Sequence, residues 1–485
     1  MSKSKISYKH NLIRKHKELI VVIFFLLFSP LFFYNLGGTS LVDFDEAWYA
    51  EIARNILVNH QPFLLSFNGA PYTDHPPLGF ILITLSFLTF GISEFSARLP
   101  SAILGFASVI VTYFIGKNLF NRAVGVGAGL MLVSSAWFIL RARSGNLDSI
   151  FLFFYLLSFY FAIKVKQNYK YLYLLSASFA LVLLTKSVIG ITVLIPITAV
   201  LYINGIVPKI KVVINSVVVF LIIFTPWLLI NYQFYGLGFT SHMLSVGLRH
   251  EHRMTPNLLE IGRSLTMQYL HFGIREWYYP ALIALLGSFF FILKKHLLIP
   301  IFLWIIVLLW GFLSNSKTEI WHLIPLYPIF GLLIAFFFYE SIFFILKRIK
   351  LKKKFSTNIS SLLVIIFLLG LSLKQVYEFR NEIKLFDHDV GGLAYTAKAA
   401  RNYSEKLYLD GEFFFPGATF YSQKTVFLVK SQGPPQDSLK GIVSYGKKPF
   451  LLLTEQWRLD QDGIDNAKYD LFSEHKGYVL IRVNN

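Results

Sequence analysis

The sequence has no cysteine and little charge, and both shortages exclude classes of protein. Without cysteine there is no disulfide, no thiolate metal site and no cysteine nucleophile. Only 15% of the residues are Asp, Glu, Lys or Arg, against roughly a quarter in soluble domains. No internal repeat or low-complexity segment is evident, which argues against a transporter built from inverted repeats.

Apolar residues are abundant instead. They make up 55% of the chain, and the mean hydropathy is +0.56. Many apolar runs reach the ~17–25 residues with which a helix spans a bilayer. The formal charge of +19 comes from basic residues scattered in short loops, as the positive-inside rule expects, and not from a nucleic-acid-binding face. The fold class predicted is an all-α polytopic membrane protein, with the lipid bilayer as a partner and no nucleic acid.

The distribution of basic residues predicts the topology. Met1–Lys17 is basic and is therefore placed in the cytoplasm. The apolar run Leu19–Phe33 could be a signal peptide, but no small-residue cleavage site follows, so we interpret it as an uncleaved first span. Pro77–Ile92 is apolar but short. The later basic loops lie in the cytoplasm only if this segment lies along the membrane interface and does not span the bilayer. About eleven spans are then predicted, at 19–33, 98–117, 123–140, 149–163, 171–184, 188–203, 212–230, 277–293, 298–313, 324–346 and 361–373.

The composition changes after Leu373, which predicts two domains. Residues 1–373 form the membrane domain, and residues 374–485 form a small soluble α/β domain on the periplasmic or extracellular face of a bacterial-type inner membrane. The α/β prediction depends on a helix-like stretch, Leu393–Tyr403, and on four strand-like runs, at Lys406–Leu409, Thr425–Val429, Phe450–Leu453 and Tyr478–Val483.

An acidic cluster directly follows the first span. Asp43, Asp45 and Glu46 fall within four positions, and carboxylates are too costly in hydrocarbon to lie anywhere but at the water side or in a protein-lined cavity. They could simply cap the helix predicted at Ala47–Leu57. Alternatively they bind a divalent cation, or one takes a proton from an acceptor hydroxyl. Our hypothesis is that the cluster is the edge of an active site.

A second acidic site is predicted at Asp148, on the same side of the membrane as Asp45. Asp148 could be a helix cap, but unusual outer cations accompany it, at Arg141, Arg143 and Lys186. Arg249, in the predicted outer loop 231–276, is another. Together they suggest that an anion, most simply a phosphate, is handled on the outer face.

Histidines add a further possibility. Asp74 and His75 precede two prolines that favour a helix start. They could be a helix-capping aspartate and an incidental histidine, or polar side chains held at the membrane surface where a lipid phosphate would lie. His250 and His252 could hold a divalent cation together with Asp74 or Glu251, although solvated histidines are the commoner explanation of this spacing.

Several motifs resemble a known family. Asp45–Arg54, which reads DEAWYAEIAR, is similar to the first-loop motif of the ArnT/protein-mannosyltransferase-like enzymes, membrane glycosyltransferases of the GT-C fold in the PMT family, glycosyltransferase family 39. The other matching segments follow in the family's order, at Asn68–Leu78, Phe90–Ala102, Asn146–Asp148, Leu184–Lys186, Ser316–Lys317 and His322–Pro328.

The resemblance implies a site and a reaction. By the family pattern, Asp45 is the principal catalytic residue and Asp148 the second acidic site, and we add Glu46 of the acidic cluster as a catalytic candidate. The pattern places Tyr49, Tyr72, Asp74 and His75 near the carrier phosphate and makes Lys186 and Arg249 candidate phosphate contacts. We add Arg143, Lys317 and His322 as candidates for binding substrate or carrier phosphate. The family uses juxtamembrane helices in its first outer loop, a polyprenyl-phosphate-linked sugar as donor, and an envelope lipid, glycan or protein as acceptor. No organic cofactor is expected.

Two alternatives and one departure accompany this prediction. A lipid-linked sugar flippase or a polysaccharide ligase would use the same donor class. Many ArnT-type members carry Glu-Lys before the two prolines, whereas this chain has Asp74-His75, so a permanent cation is replaced by a titratable one.

Overall fold

The computed structural model describes residues 16–248, 254–256, 258–385, 391–411, 415–429, 441–442, 449–461 and 469–484. They form two compact units. The helical unit comprises residues 1–34, 74–79 and 101–383, and the mixed unit comprises residues 35–73, 80–100 and 384–485.

Helices dominate the described residues between 16 and 385. In chain order they are α1 at 16–26, α2 Pro30–Phe33, α3 Asp45–Asn59, α4 Leu78–Phe90, α5 Glu94–Leu119, α6 Arg122–Val133, α7 Ala136–Ala142, α8 Asp148–Lys164, α9 Tyr171–Leu183, α10 Ser187–Gly190, α11 Leu194–Ile203, α12 Ile210–Leu248, α13 Leu265–Ile274, α14 Tyr278–Phe289, α15 Leu298–Leu313, α16 Tyr327–Arg348 and α17 Lys353–Leu385. Short 3-10 helices lie at Ile191–Val193, Leu258–Arg263, Arg275–Trp277 and Ile320–Leu326.

Several of these helices are suited to a bilayer. Among the described residues, four helical segments are long and apolar enough to cross it, at Glu94–Leu119, Ile210–Leu248, Ile320–Arg348 and Lys353–Ile383. The pair α6 and α7, bent by 70°, would make a fifth span if it counts as one. The prediction of a multi-pass helical protein is confirmed, while the number eleven stays a prediction.

Two predicted boundaries are wrong. The loop predicted from residue 231 is helical up to Leu248, because α12 continues through a kink at Gly236, whose φ of +60° suits glycine. The last helix, predicted at 361–373, runs from Lys353 to Leu385. The final turns of this helix are polar, as in a soluble segment, so a search for apolar runs does not include them.

The core of the helical unit depends on small residues. Gly331 of α16 lies so close to α6 that a Cβ there would come within 2.9 Å of the Ala128 carbonyl oxygen. Gly127 of α6 approaches Ala335 in the same way. In lipid no hydrophobic force drives helices together, so van der Waals packing between closely approaching backbones holds them instead.

The C-terminal part of the mixed unit contains a sheet. Its strands are β3 Leu407–Asp410, β4 Val426–Val429, β5 Phe450–Glu455, β6 Tyr469–His475 and β7 Tyr478–Val483, after a short hairpin of β1 Ser66–Phe67 and β2 Ala70–Pro71 earlier in the chain. The helices here are α18 Gly392–Ala399, α19 Pro416–Ser422 and α20 Gln456–Gln461, with a 3-10 turn at Ala400–Asn402.

The strand order is β4-β3-β5-β7-β6. β3 runs parallel to β4 and β5, and β7 runs antiparallel to β5 and β6. The four predicted strands are all present, and the helix predicted at Leu393–Tyr403 is α18 with the following turn. The division at residue 373 stays a prediction.

Candidate active site

The segment before Asp45 is held by one buried arginine of the mixed unit. Asp45 is the first residue of α3, and its side chain is half-buried. Arg98 donates from Nε and Nη2 to the two carboxylate oxygens of Glu46, at 2.9 Å each. Its remaining N–H groups donate to the carbonyl oxygens of Leu36 at 2.8 Å, Thr39 at 3.1 Å and Ser40 at 2.9 Å. The guanidinium thus uses its full set of donors to fix the approach to Asp45.

Glu46 is committed to this arrangement. It is 3% exposed, and one of its carboxylate oxygens also accepts a hydrogen bond from the backbone N–H of Val42 at 2.9 Å. A buried ion pair of this kind is costly to break, because the remaining charge would stay in a place without water. The catalytic role predicted for Glu46 stays a prediction, and its geometry favours a structural role.

Aromatic rings surround the two predicted tyrosines. The ring of Phe80 lies edge-on to Tyr49, at 5.3 Å between centroids, and edge-on to Tyr72, at 5.7 Å. Trp48 lies 6.2 Å from Tyr72. Tyr49 and Tyr72 are 7% and 8% exposed, so most of their surface serves packing and only the remainder is open to a ligand.

In the helical unit, a bent helix pair leads to Asp148. Ser134 and Ser135 lie at the break between α6 and α7, and their hydroxyls donate to the carbonyl oxygens of Leu130 and Met131, each at 2.8 Å. Such bonds to the preceding turn bend helices. The short α7 that follows carries Arg141.

The loop after α7 is built around Asn146. Its side-chain Nδ2 donates to the Arg141 carbonyl oxygen at 2.7 Å, and its Oδ1 accepts from the N–H of Asp148 at 2.8 Å. The hydroxyl of Ser101 donates to the Asn146 carbonyl oxygen at 3.0 Å. The asparagine therefore closes the loop and sets the start of α8, where Asp148 stands.

Asp148 lies between two cations. Arg141 donates from Nε to Oδ2 at 2.7 Å, with Nη2 at 2.6 Å from the same oxygen. Lys186 donates from Nζ to Oδ1 at 2.5 Å. The exposed fractions of the three side chains are 14% for Arg141, 19% for Lys186 and 5% for Asp148. We call these three residues the Asp148 cluster. It holds one negative and two positive charges, so it is a buried group with a net positive charge.

Other residues predicted to bind the carrier phosphate are placed differently. Arg143 is not part of the Asp148 cluster. It is 7% exposed, and its Nη1 lies 3.4 Å from the Leu31 carbonyl oxygen. His322 accepts the N–H of Glu319 on Nδ1 at 2.9 Å, in a capping box that begins the 3-10 turn before α16. Lys317 is exposed.

Asp74 has a histidine partner that the sequence did not indicate. Its Oδ1 lies 2.8 Å from Nε2 of His242, and both side chains are about half exposed. His242 falls in the part of α12 that had been predicted as a loop. His75, the next residue, is half-buried in the same unit.

The predicted metal ligands are only partly within the structure. Arg249, His250, Glu251 and His252 lie outside the described residues. Within the described part of the chain, no three His, Asp or Glu side chains are grouped as a metal site requires. The pair of Asp74 and His242 supplies two ligands, and a divalent cation stays a prediction.

Comparison with known proteins supports the resemblance. Residues 74–230 match the family model described as dolichyl-phosphate-mannose-protein mannosyltransferase. The undecaprenyl phosphate-alpha-4-amino-4-deoxy-L-arabinose arabinosyl transferase of Wigglesworthia glossinidia brevipalpis is 29% identical over 198 residues, which are 39% of this chain and 34% of that protein. The polyprenol-phosphate-mannose–protein mannosyltransferase of Mycobacterium tuberculosis is 33% identical over 140 residues, 28% and 26% of the two chains.

A solved structure extends the likeness to nearly the whole fold. ArnT from Cupriavidus metallidurans superposes with a TM-score of 0.71 over 97% of this chain and 98% of ArnT, at 15% identity. The fold is therefore that of a GT-C membrane protein. The matched segments span 24% to 35% of the length of the curated relatives. The predicted resemblance to the PMT and ArnT glycosyltransferases is confirmed.

Sequence reasoning missed three contributors to these sites. Arg98 and His242 were not considered, and Arg141 was noted as an outer cation without being chosen. Arg98 lies within the motif Phe90–Ala102, and its place in that motif is the sequence signal that could have found it. Its burial is visible only in the structure. Arg141 precedes Asp148 by seven residues, and the loop closed by Asn146 brings the two side chains together.

Proposed function

We propose that this protein is a membrane glycosyltransferase that moves a sugar from a polyprenyl-phosphate carrier to an acceptor in the cell envelope. The reaction would take place on the outer face of a bacterial-type inner membrane, with the N-terminus in the cytoplasm and the C-terminal residues outside. The similarity to PMT and ArnT proteins supports the class. One ArnT structure is bound to undecaprenyl phosphate, which supports the carrier.

The Asp148 cluster is the observation that carries the proposal. Two cations contact one carboxylate, and all three side chains are largely buried, so the cluster itself carries a net positive charge that suits an anionic ligand. Ionisable residues inside membrane proteins are rare and mark functional sites by default. A phosphate group offers several oxygens that Arg and Lys can bind.

The chemistry proposed is displacement at the anomeric carbon. The bond from that carbon to the phosphate oxygen breaks, the acceptor oxygen forms the new bond, and the carrier leaves as polyprenyl phosphate. Negative charge grows on the leaving phosphate, where Lys186 and Arg141 would stabilise it. One attack without a covalent intermediate would invert the anomeric configuration.

Asp45 is proposed as the group that receives or directs the acceptor proton. Asp45 is half-buried at the first position of α3, at the positive end of the helix dipole. A carboxylate can accept the proton of an acceptor hydroxyl. If the acceptor is itself a phosphate, no proton needs to be removed and Asp45 only orients it.

A transfer assay distinguishes this function from its alternatives. Purified protein in lipid nanodiscs would receive a radiolabelled polyprenyl-phosphate sugar and an envelope fraction, with and without a chelator. We expect label to move to an acceptor with wild type and with the control Asp460→Asn, and to move at least a hundredfold more slowly with Asp45→Asn.

Three other outcomes would change the assignment. Equal transfer by Asp45→Asn would remove Asp45 from the mechanism. In proteoliposomes, movement of the lipid across the bilayer without loss of its sugar would identify a flippase. Transfer of a whole polysaccharide chain would identify a ligase.

A further inference from the structure

The C-terminal residues of the mixed unit hold the segment that precedes Asp45. Asp43 Oδ1 accepts a hydrogen bond from the backbone N–H of Gly417, at 2.6 Å, in the first turn of α19. The hydroxyl of Tyr421, at the other end of the same helix, accepts from the N–H of Leu41 at 2.6 Å. Two contacts from one short helix therefore reach residues two and four positions before Asp45.

A second pair of bonds ties the hairpin β1–β2 to the sheet. The side chain of Asn68 donates from Nδ2 to the Val426 carbonyl oxygen at 2.9 Å and accepts the Val426 N–H on Oδ1 at 2.8 Å. The amide side chain thus pairs with β4 as a neighbouring strand would. The first loop and the C-terminal sheet are joined by directed bonds as well as by apolar packing.

The fit around Gly417 is tight. A Cβ added there would lie 2.2 Å from Asp43 Oδ1 and 3.0 Å from its Cγ, so no side chain can be accommodated unless Asp43 moves. Burial raises the pKa of the Asp43 carboxyl to about 6, and the N–H of Gly417 only partly offsets this effect. The Asp43 carboxyl is therefore partly buried where it accepts the Gly417 N–H.

Arg98 also forms hydrogen bonds with the same loop. It bonds the carbonyl oxygens of Leu36, Thr39 and Ser40 and the carboxylate of Glu46. α19 bonds Leu41 and Asp43, which lie between these points. The backbone from residue 36 to residue 46 is thus fixed at closely spaced positions, and Asp45 is near the end of that stretch.

We infer that the C-terminal α/β segment is a positioning element, whose helix α19 sets the loop that carries Asp45. A separate acceptor-binding module would not need bonds to the backbone of that loop or a glycine packed against Asp43. This role rests on the proposed function for its catalytic consequence, but the structural part stands independently of any activity.

The test combines hydrogen exchange with kinetics on the full-length protein in nanodiscs. Gly417→Ala should displace the Asp43 carboxylate and speed exchange of the Leu41 amide and its neighbours in residues 36–46 at least tenfold. In the transfer assay kcat should fall about tenfold, while KM for the polyprenyl-phosphate sugar stays within twofold. Gly370→Ala is the matched control, since nothing lies within 4 Å of that position.

Three further variants keep the test independent of folding defects. Tyr421→Phe removes the acceptor of the Leu41 N–H without adding bulk and should speed exchange at Leu41. Asp43→Asn keeps a carbonyl oxygen for the Gly417 N–H and should retain the exchange protection of residues 36–46, whereas Asp43→Ala should lose it.

The outcomes separate the inference from the proposed function. Unchanged exchange in Gly417→Ala and Tyr421→Phe would overturn the inference, as would faster exchange with an unchanged kcat. If wild type transfers no sugar at all, the proposed function fails. The exchange results would then still decide whether α19 holds the loop.

Discussion

At the scale of single residues, the arrangement of charge around Asp148 is the most informative feature. One carboxylate paired with one cation would be a neutral structural bridge. Here Arg141 and Lys186 both contact it, so the three side chains together carry a net positive charge. Charge of that sign in a membrane unit favours binding of an anion over a purely structural role.

Replacing Lys186 by methionine tests this interpretation. Methionine keeps much of the length and apolar character of the lysine stem but removes its charge, leaving a neutral pair of Arg141 and Asp148. We expect kcat/KM for the polyprenyl-phosphate sugar to fall at least tenfold, which corresponds to about 1.4 kcal/mol.

The control is Lys170→Met, which changes an exposed lysine in the loop before α9. Its kcat/KM should match wild type. Unchanged kinetics in Lys186→Met would show that the lysine does not act on the carrier.

Prediction from sequence was partly successful at this scale. Asp148 and Lys186 were both proposed, but their direct contact was not, since 38 positions separate them. Arg143 was chosen where Arg141 makes the contact. The reason is physical: the side chain of Asn146 closes the loop between α7 and α8, and the path of that loop decides which arginine meets Asp148.

At the scale of elements, the buried arginine of α5 controls the start of α3. Every N–H of the Arg98 guanidinium has an acceptor, and both Arg98 and Glu46 are largely buried. The lysine ammonium group has only three N–H donors and cannot reproduce the five N–H donors of the planar arginine guanidinium.

Arg98→Lys should therefore destabilise the protein although the charge is kept. Leaving two buried acceptors without donors costs about 2 kcal/mol, within the usual range for unsatisfied buried polar groups. The melting temperature, measured at one fixed scan rate in nanodiscs, should fall by several degrees.

The matched control is Arg348→Lys, at the exposed end of α16, which should melt as wild type does. A melting temperature of Arg98→Lys equal to that of the control would mean that the network of bonds contributes little to stability.

Elements with one strong periodic signal were predicted well, and those with mixed signals were not. α15 has the predicted bounds, Leu298–Leu313, because it is apolar throughout and ends at polar residues. β6 was missed because its side chains are largely exposed and polar, as is common at a sheet edge. α12 was cut short because polar residues beyond Ile230 interrupt its apolar run, although the helix does not end there.

At the scale of the whole molecule, the motifs gave the class correctly. Short segments spread through the chain indicated the ArnT and PMT resemblance, and ArnT shares the fold over 97% of the chain although only 15% of aligned residues are identical. A fold can persist at such identity because packing depends on size and polarity rather than on particular residues. The acceptor does not follow in the same way, since function depends on the site and not on the fold.

The most direct test of the account is the stoichiometry of carrier release. Wild-type protein would be incubated in nanodiscs with a polyprenyl-phosphate sugar and an envelope fraction, and mass spectrometry would count both lipid products and transferred sugar. The account predicts one polyprenyl phosphate for each sugar gained by an acceptor, with both products lost in Asp45→Asn. Sugar that remains on its carrier in the presence of wild type and an acceptor would contradict it.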